Sequence, residues 1–184
     1  MNKFRGFIAV DIGPFPKMIE FENYIKNTDA DVKLVEPKNI HITLKFLGDT
    51  DENLIDKIEE IMKKSVEKIK PFEIELKGSG VFPNNNYIRV IWIGINNFEN
   101  LKTISYRIDE QLSKLGFEKE KRDFSAHLTL ARVKSLKNKD KLLQIIEKYK
   151  ETDFIKINVD TIRLKKSELT PKGPIYTIVR EVKL

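Results

Sequence analysis

The sequence contains no cysteine and only two histidines among its 184 residues. Without cysteine the chain can form no disulfide and has no thiol nucleophile. Two histidines without cysteine also exclude the usual zinc sites, and neither histidine has an acidic residue at the short spacing typical of metal ligands. We therefore expect no metal site and no cofactor.

Long hydrophobic runs are also absent, since no apolar stretch approaches the roughly 20 residues that span a bilayer. The opening apolar stretch is interrupted by Asp11 and is too short for a signal peptide. We expect a cytoplasmic protein with no membrane partner. The sequence has no serine nucleophile elbow and no phosphate-binding glycine loop, and Gly78-Ser79-Gly80 is too short to serve as one.

The formal net charge is +6, from 34 basic and 28 acidic residues. A basic excess can attract a polyanion such as RNA. However, lysine and glutamate are interleaved along the predicted helices, and a solvated charged surface explains most of this excess. Charge alone therefore leaves the partner open.

Both histidines lie in the same local pattern, His41-Ile42-Thr43-Leu44 and His127-Leu128-Thr129-Leu130. Side chains alternate between the two faces of a strand, so each histidine shares a face with the threonine two residues later. One such motif would be weak evidence, because threonine is common in strands. Two copies that use every histidine of the chain favour a shared site.

The pattern of apolar residues predicts a repeated order of strand, helix, HxT strand, helix, strand. We interpret residues 1–184 as a single domain with pseudo-repeats at about 1–82 and 87–165 and a C-terminal strand over 175–183. The alternative is a coincidence of common elements. The predicted strands cover 4–11, 39–47 (ended by Gly48), 72–82, 87–95, 124–133 and 153–164, and the helices cover 16–27, 54–69, 98–115 and 138–149.

Two such lobes facing each other would bring His41, Thr43, His127 and Thr129 into one cleft. Histidine ordinarily titrates near pH 6.5, so one imidazole can accept a proton while the other donates one. Threonine hydroxyls can donate hydrogen bonds to oxygens that gain charge in the transition state. This set fits in-line displacement at phosphorus without a metal ion.

Two cations follow the motifs, Lys45 and Arg132. Strict alternation places Lys45 on the face of His41 and points Arg132 toward the core, unless the strand twists or bulges there. Either could bind a phosphate, and the planar guanidinium of Arg132 is better suited. The alternative is a solvated charge at a strand end.

Five segments carry a family resemblance that covers nearly the whole chain. The chain resembles the 2H phosphoesterases, in the RNA 2′,3′-cyclic phosphodiesterase branch first named 2′-5′ RNA ligases. The resemblance implies an α+β fold with two pseudo-symmetric lobes, whose antiparallel sheets are flanked by helices around a central cleft. The segments are FRGFIAVD, NIHITLKFLGD, VFPNNNYIRVIWIGI, GFEKEKRDFSAHLTLARVK and LTPKGPIYTIV.

The resemblance implies metal-independent opening of a terminal RNA 2′,3′-cyclic phosphate to a 2′-phosphomonoester. His41 would be the proton donor, His127 the proton acceptor, and Thr43 and Thr129 would bind phosphate oxygens, with Arg132 as a further candidate for substrate binding. The expected partner is RNA with a 2′,3′-cyclic phosphate end, bound by a monomer. Two alternatives remain: a 2′-5′ RNA ligase that joins such an end to a 5′-hydroxyl, as in tRNA halves, and a non-catalytic module that binds RNA ends.

Overall fold

The computed structural model describes residues 2–171 and 173–184. In this part of the chain the regular elements are four α-helices and nine β-strands. The helices are α1 (Pro16–Lys26), α2 (Ile55–Val66), α3 (Glu99–Ser113) and α4 (Lys139–Lys148), and the strands are β1 (Lys3–Asp11), β2 (Val32–Leu34), β3 (His41–Asp51), β4 (Phe72–Asn84), β5 (Tyr87–Asn96), β6 (His127–Val133), β7 (Asp153–Val159), β8 (Thr161–Thr170) and β9 (Gly173–Lys183).

The strands form two antiparallel sheets, with the orders β3-β1-β8-β9 and β2-β6-β5-β4-β7. Helices α2 and α3 pack together and contact β9 and β3, whereas α1 and α4 pack together and contact β7 and β4. This arrangement confirms the predicted α+β fold with two antiparallel sheets and flanking helices. No helix in the described residues has the length and apolar character needed to cross a membrane.

Each half of the chain contributes its fourth strand, β4 or β8, to the sheet of the other half. Strand β4 pairs with β5 in the second sheet, and β8 pairs with β1 in the first. The order β3-β1-β8-β9 therefore corresponds strand for strand to β6-β5-β4-β7. Because of this exchange, the two halves of the chain cannot separate without breaking strand ladders in both sheets.

The strand predicted over 153–164 is wrong, because Asp160 divides it into β7 and β8, which lie in different sheets. Val159 and Ile162 are both buried on either side of the exposed Asp160. A run of apolar residues indicates burial but does not indicate which sheet buries it.

The predicted end of the first HxT strand at Gly48 is also wrong, since β3 continues to Asp51. Gly48 has a positive φ of 67° and still pairs with Gly6, beside an irregularity in the β1–β3 ladder. Glycine adopts this conformation without a Cβ penalty, so the strand bends there without ending. Asp51 then accepts a hydrogen bond from the backbone N–H of Asn53 at the start of the next turn.

The core lies between the helices and the sheets and consists of fully buried aliphatic and aromatic side chains. Helical spacing places Met18, Phe21 and Ile25 on the buried face of α1, and Ile58 and Met62 on that of α2. Each such side chain contributes about 1.5–3 kcal/mol by leaving water. The opposite faces of the sheets are left free to line a cleft.

Candidate active site

His41 and His127 are the first residues of β3 and β6, and both line one cavity of about 720 Å³. Residues of both sheets line it. Thr43, Lys45, Thr129 and Arg132 line the same cavity, so the structure brings together all six side chains named from the sequence. The seven residues that begin at each histidine have the same order of buried and exposed positions.

One short segment connects the two motifs. Strand β2 pairs with β6 through Leu34 and Ala131, and the backbone N–H of Val35 donates to the carbonyl of Leu130 at 2.7 Å. A single turn at Pro37–Asn39 then leads directly to His41. The segment that completes the second sheet therefore also places the first motif beside it.

Both motif strands contain a bulge at the residue after the threonine. In the β1–β3 ladder Leu44 is the extra residue, and in the β5–β6 ladder it is Leu130. The carbonyl of each bulged residue accepts a hydrogen bond from another donor. The hydroxyl of Ser105 donates to the carbonyl of Leu44, and the backbone N–H of Val35 donates to that of Leu130, both at 2.7 Å. A paired carbonyl removes the main cost of a bulge in a buried strand.

The bulges decide where the two cations lie. Past Leu130 the alternation is inverted, so Arg132 is exposed and lines the cleft instead of pointing to the core, as strict alternation predicted. Lys45 is instead buried, and its ammonium lies 2.7 Å from Asp109 Oδ1 and 2.7 Å from the carbonyl of Glu118. Lys45 is therefore committed to protein partners, and the prediction that it could bind phosphate loses its support.

The imidazoles of His41 and His127 are held in the same way. Nδ1 of His41 lies 2.6 Å from the carbonyl oxygen of Asn39, and Nδ1 of His127 lies 2.8 Å from that of Ser125. A carbonyl oxygen can only accept, so Nδ1 carries the hydrogen in both rings. Nε2 is therefore the ring nitrogen left in each histidine to exchange a proton with a ligand.

Aromatic side chains support both imidazoles. The ring of His41 lies 5.0 Å from Phe7 and 5.4 Å from Tyr176, between centroids. The ring of His127 lies edge-to-face against Phe82 at 5.1 Å. Such contacts restrict the rotamer of an imidazole without competing for its hydrogen bonds. The sequence reasoning missed these three aromatic residues, although each lies in a segment that carries the family resemblance.

The surroundings of the two histidines differ in charge. Asp11 lies opposite His41 in the β1–β3 register, whereas Gly94 lies opposite His127. Asp11 accepts a hydrogen bond of 2.6 Å from Lys165, which is almost fully buried. Burial lowers the pKa of His41, and the hydrogen bond to the carbonyl of Asn39 raises it. The positive charge of Lys165 lowers this pKa further, and the negative charge of Asp11 raises it. Burial, the largest of these effects, therefore favours the neutral form of His41.

Tyr176 of β9 joins the cleft as a further polar group. Burial raises the pKa of its phenol, and the charges of Arg132 and Arg5 oppose this effect. The phenol remains protonated at neutral pH and can donate a hydrogen bond. In the described ranges 2–171 and 173–184, no group of three or more His, Cys, Asp and Glu side chains could hold a metal ion.

A family model, the AKAP7 2′5′ RNA ligase-like domain, matches residues 11–184. The chain belongs to this family. The RNA 2′,3′-cyclic phosphodiesterase of Methanocaldococcus jannaschii is 49% identical over 179 residues, which is 96% of this chain and 99% of that protein. The enzyme of the same name from Methanothermobacter thermautotrophicus is 42% identical over 177 residues, 95% of this chain and 96% of that protein.

Among solved structures, TT0787 of Thermus thermophilus has the same fold, with a TM-score of 0.75 and 24% sequence identity. The match covers 98% of this chain and 97% of that one. These comparisons confirm the family predicted from the two motifs, the fold class, and the enzyme class of a phosphodiester hydrolase.

Proposed function

We propose that this family member hydrolyses RNA 2′,3′-cyclic phosphate ends to 2′-phosphomonoesters, with His41 and His127 as the acid and base. The observation that carries the proposal is the shared tautomer. Both Nδ1 atoms are hydrogen-bonded to backbone carbonyls, and both rings line one cavity. Each Nε2 is then available for proton exchange. A module that only bound RNA ends would need hydrogen-bond donors but no such pair.

In the proposed reaction, water attacks phosphorus and gives a proton to Nε2 of His127. The bond from phosphorus to O3′ breaks, and O3′ takes a proton from Nε2 of protonated His41. The phosphate remains on O2′. The reaction consumes one water and leaves the enzyme with the proton on the other histidine, so exchange with solvent restores the starting state.

The negative charge of the cyclic phosphate has a defined role in this scheme. Burial lowers the pKa of His41 in the free cleft, so His41 is mainly neutral before substrate binds. An anion beside the ring favours the imidazolium and raises its pKa again. Substrate binding would therefore load the proton donor. The opposite assignment, with His41 as the base, uses the same residues.

Three further side chains complete the proposed site. Thr43 and Thr129 face the cavity from equivalent positions of the two strands, and Arg132 faces it from beyond the second bulge. Their hydroxyl and guanidinium groups would donate to the nonbridging phosphate oxygens as charge develops there.

The test is product analysis with an RNA oligonucleotide that ends in a 2′,3′-cyclic phosphate. We expect a 2′-phosphate product from the wild-type protein. His41→Asn and His127→Asn keep a donor for the backbone carbonyl but cannot carry a proton, so each should lose at least about 100-fold in rate. Unchanged thermal unfolding would show that the variants remain folded.

Two outcomes would contradict the proposal. Near-normal hydrolysis by either asparagine variant would exclude the histidine pair, and a 3′-phosphate product would exclude the assigned leaving group. A parallel reaction with a 5′-hydroxyl RNA added tests ligation, since a joined product in place of the monoester would favour the 2′-5′ ligase.

A further inference from the structure

A second groove begins where the cleft ends at Arg132. Its volume is about 360 Å³, and it lies along the start of β5, the end of β6 and the segment that follows β6. Arg132 lines both the cleft and this groove, so the two spaces adjoin at this residue. A ligand that is bound at the histidines and is longer than one nucleotide could therefore continue into the groove.

The charge of this groove favours an anion. Arg89, Arg132 and Lys134 line it, and none of the residues described as lining it is acidic. Lys134 lies two residues beyond Arg132, which is about 7 Å along the chain. A neighbouring groove that meets the cleft at Lys33 differs, because it includes Asp29 and has no aromatic ring.

An exposed aromatic ring lies among these cations. Tyr87 is 49% exposed, and the guanidinium carbon of Arg89 lies 4.9 Å from the centre of its ring. Nη2 of Arg89 also donates to the Tyr87 hydroxyl at 2.8 Å. The side chain of Asn84 accepts hydrogen bonds from the backbone N–H groups of Asn86 and Tyr87, which fixes the turn that carries the ring. The ring is therefore positioned before any ligand arrives.

We propose that this groove binds the nucleotide immediately upstream of the cyclic phosphate in a single-stranded RNA. Its base would stack on Tyr87, and its phosphodiester would lie against Arg89 and Lys134, since cations beside an exposed ring are the usual means of holding single strands. The inference rests on the proposed function, because the cyclic phosphate end must lie between the histidines. The preferred substrate is then an RNA strand rather than a free cyclic nucleotide.

Substrate length provides the test. Steady-state kinetics would compare a nucleoside 2′,3′-cyclic phosphate with an oligonucleotide carrying the same end. We expect a lower KM for the oligonucleotide with the wild-type protein. Tyr87→Ala should raise the oligonucleotide KM at least about fivefold, with kcat and the mononucleotide kinetics unchanged. Tyr87→Phe keeps the aromatic ring, so its KM for the oligonucleotide should stay close to that of the wild type.

Salt dependence tests the cations separately. For Lys134→Ala, the slope of log KM against log salt should become shallower by about 0.7 with the oligonucleotide. Lys137→Ala, in the neighbouring groove, is the matched control and should leave both substrates unaffected. The proposal is overturned if wild-type KM does not depend on length, if Tyr87→Ala changes both substrates equally, or if Lys137→Ala has the larger effect.

A binding measurement separates this inference from the proposed function. Fluorescence anisotropy with a labelled, 3′-phosphorylated RNA oligonucleotide needs no turnover. Weaker binding by Tyr87→Ala than by the wild type would support the groove even if hydrolysis fails. Equal binding by the two proteins would overturn the groove even if hydrolysis proceeds as proposed.

Discussion

Lys45 and Asp109 form a buried ion pair, with 2.7 Å between Nζ and Oδ1. The pair connects β3 to α3, and it also orders the loop that lines the cleft. Asp109 accepts a hydrogen bond from the backbone N–H of Glu120, and Lys45 donates to the carbonyl of Glu118. Lys45 lies four residues after His41, and Glu118 lies in the loop that precedes the second motif. One cation therefore links the strand of the first motif to the loop before the second.

Removal of Lys45 should be costly because it leaves Asp109 as an uncompensated charge in a largely buried place. We expect Lys45→Met to lower the free energy of unfolding by about 3–5 kcal/mol, measured by urea denaturation. The double variant Lys45→Met with Asp109→Asn should recover part of this loss, because the amide still accepts from Glu120.

The control for this prediction is Lys63→Met. Lys63 pairs with Glu59 and Glu60 on the exposed face of α2, and exposed pairs contribute little. A similar loss of stability in both lysine variants would contradict the importance given to the buried pair.

Arg132 provides a prediction about turnover that does not involve the second groove. With a nucleoside 2′,3′-cyclic phosphate as substrate, Arg132→Ala should lower kcat/KM by about 10- to 100-fold, because a hydrogen bond to a charged group contributes about 1.5–3 kcal/mol. Arg132→Lys keeps the charge but loses the planar guanidinium. Its kcat/KM should therefore lie between those of the wild type and Arg132→Ala.

Lys156→Ala is the control for Arg132, since Lys156 lies on β7 and pairs with Glu73 away from the cleft. It should have wild-type kinetics. If Arg132→Ala also retains wild-type kcat/KM, Arg132 does not bind the phosphate, and its place at the cleft is only structural.

The part of the candidate site that the sequence predicts is local. The alternation that places His41 with Thr43, and His127 with Thr129, is a property of a few consecutive residues, and the structure places all four at one cavity. The outward direction of Arg132 could not be predicted, because it depends on a bulge at Leu130.

The remaining differences depend on partners that are distant in sequence. The Leu44 bulge is completed by Ser105, and the pair of Lys45 with Asp109 joins two elements with no shared pattern. The break at Asp160 arises because β7 pairs with β4 in one sheet, whereas β8 pairs with β1 in the other. Periodicity indicates that such residues are buried or charged, but it does not name their partners.

The stability of the folded chain should depend on pH through His41. Burial holds its pKa below the ordinary value of 6.5 in the folded chain. The unfolded chain therefore binds a proton more readily as the pH falls below 6.5. The stability associated with neutral His41 is fully present above pH 6.5 and is lost as the pH falls through the lowered folded-state pKa. His41→Asn removes this contribution, so its stability should decrease less than that of the wild type between about pH 8 and about pH 5.

NMR can measure the titration directly, because the chain has only two histidines. The imidazole signal that persists in His127→Asn belongs to His41, and its midpoint should lie below 6.5 in the free protein. Inorganic phosphate in the cleft should raise this midpoint, since an anion beside the ring favours the imidazolium. A midpoint at or above 6.5 without phosphate would contradict the effect of burial, and a midpoint insensitive to phosphate would remove the argument that substrate loads His41 with the donated proton.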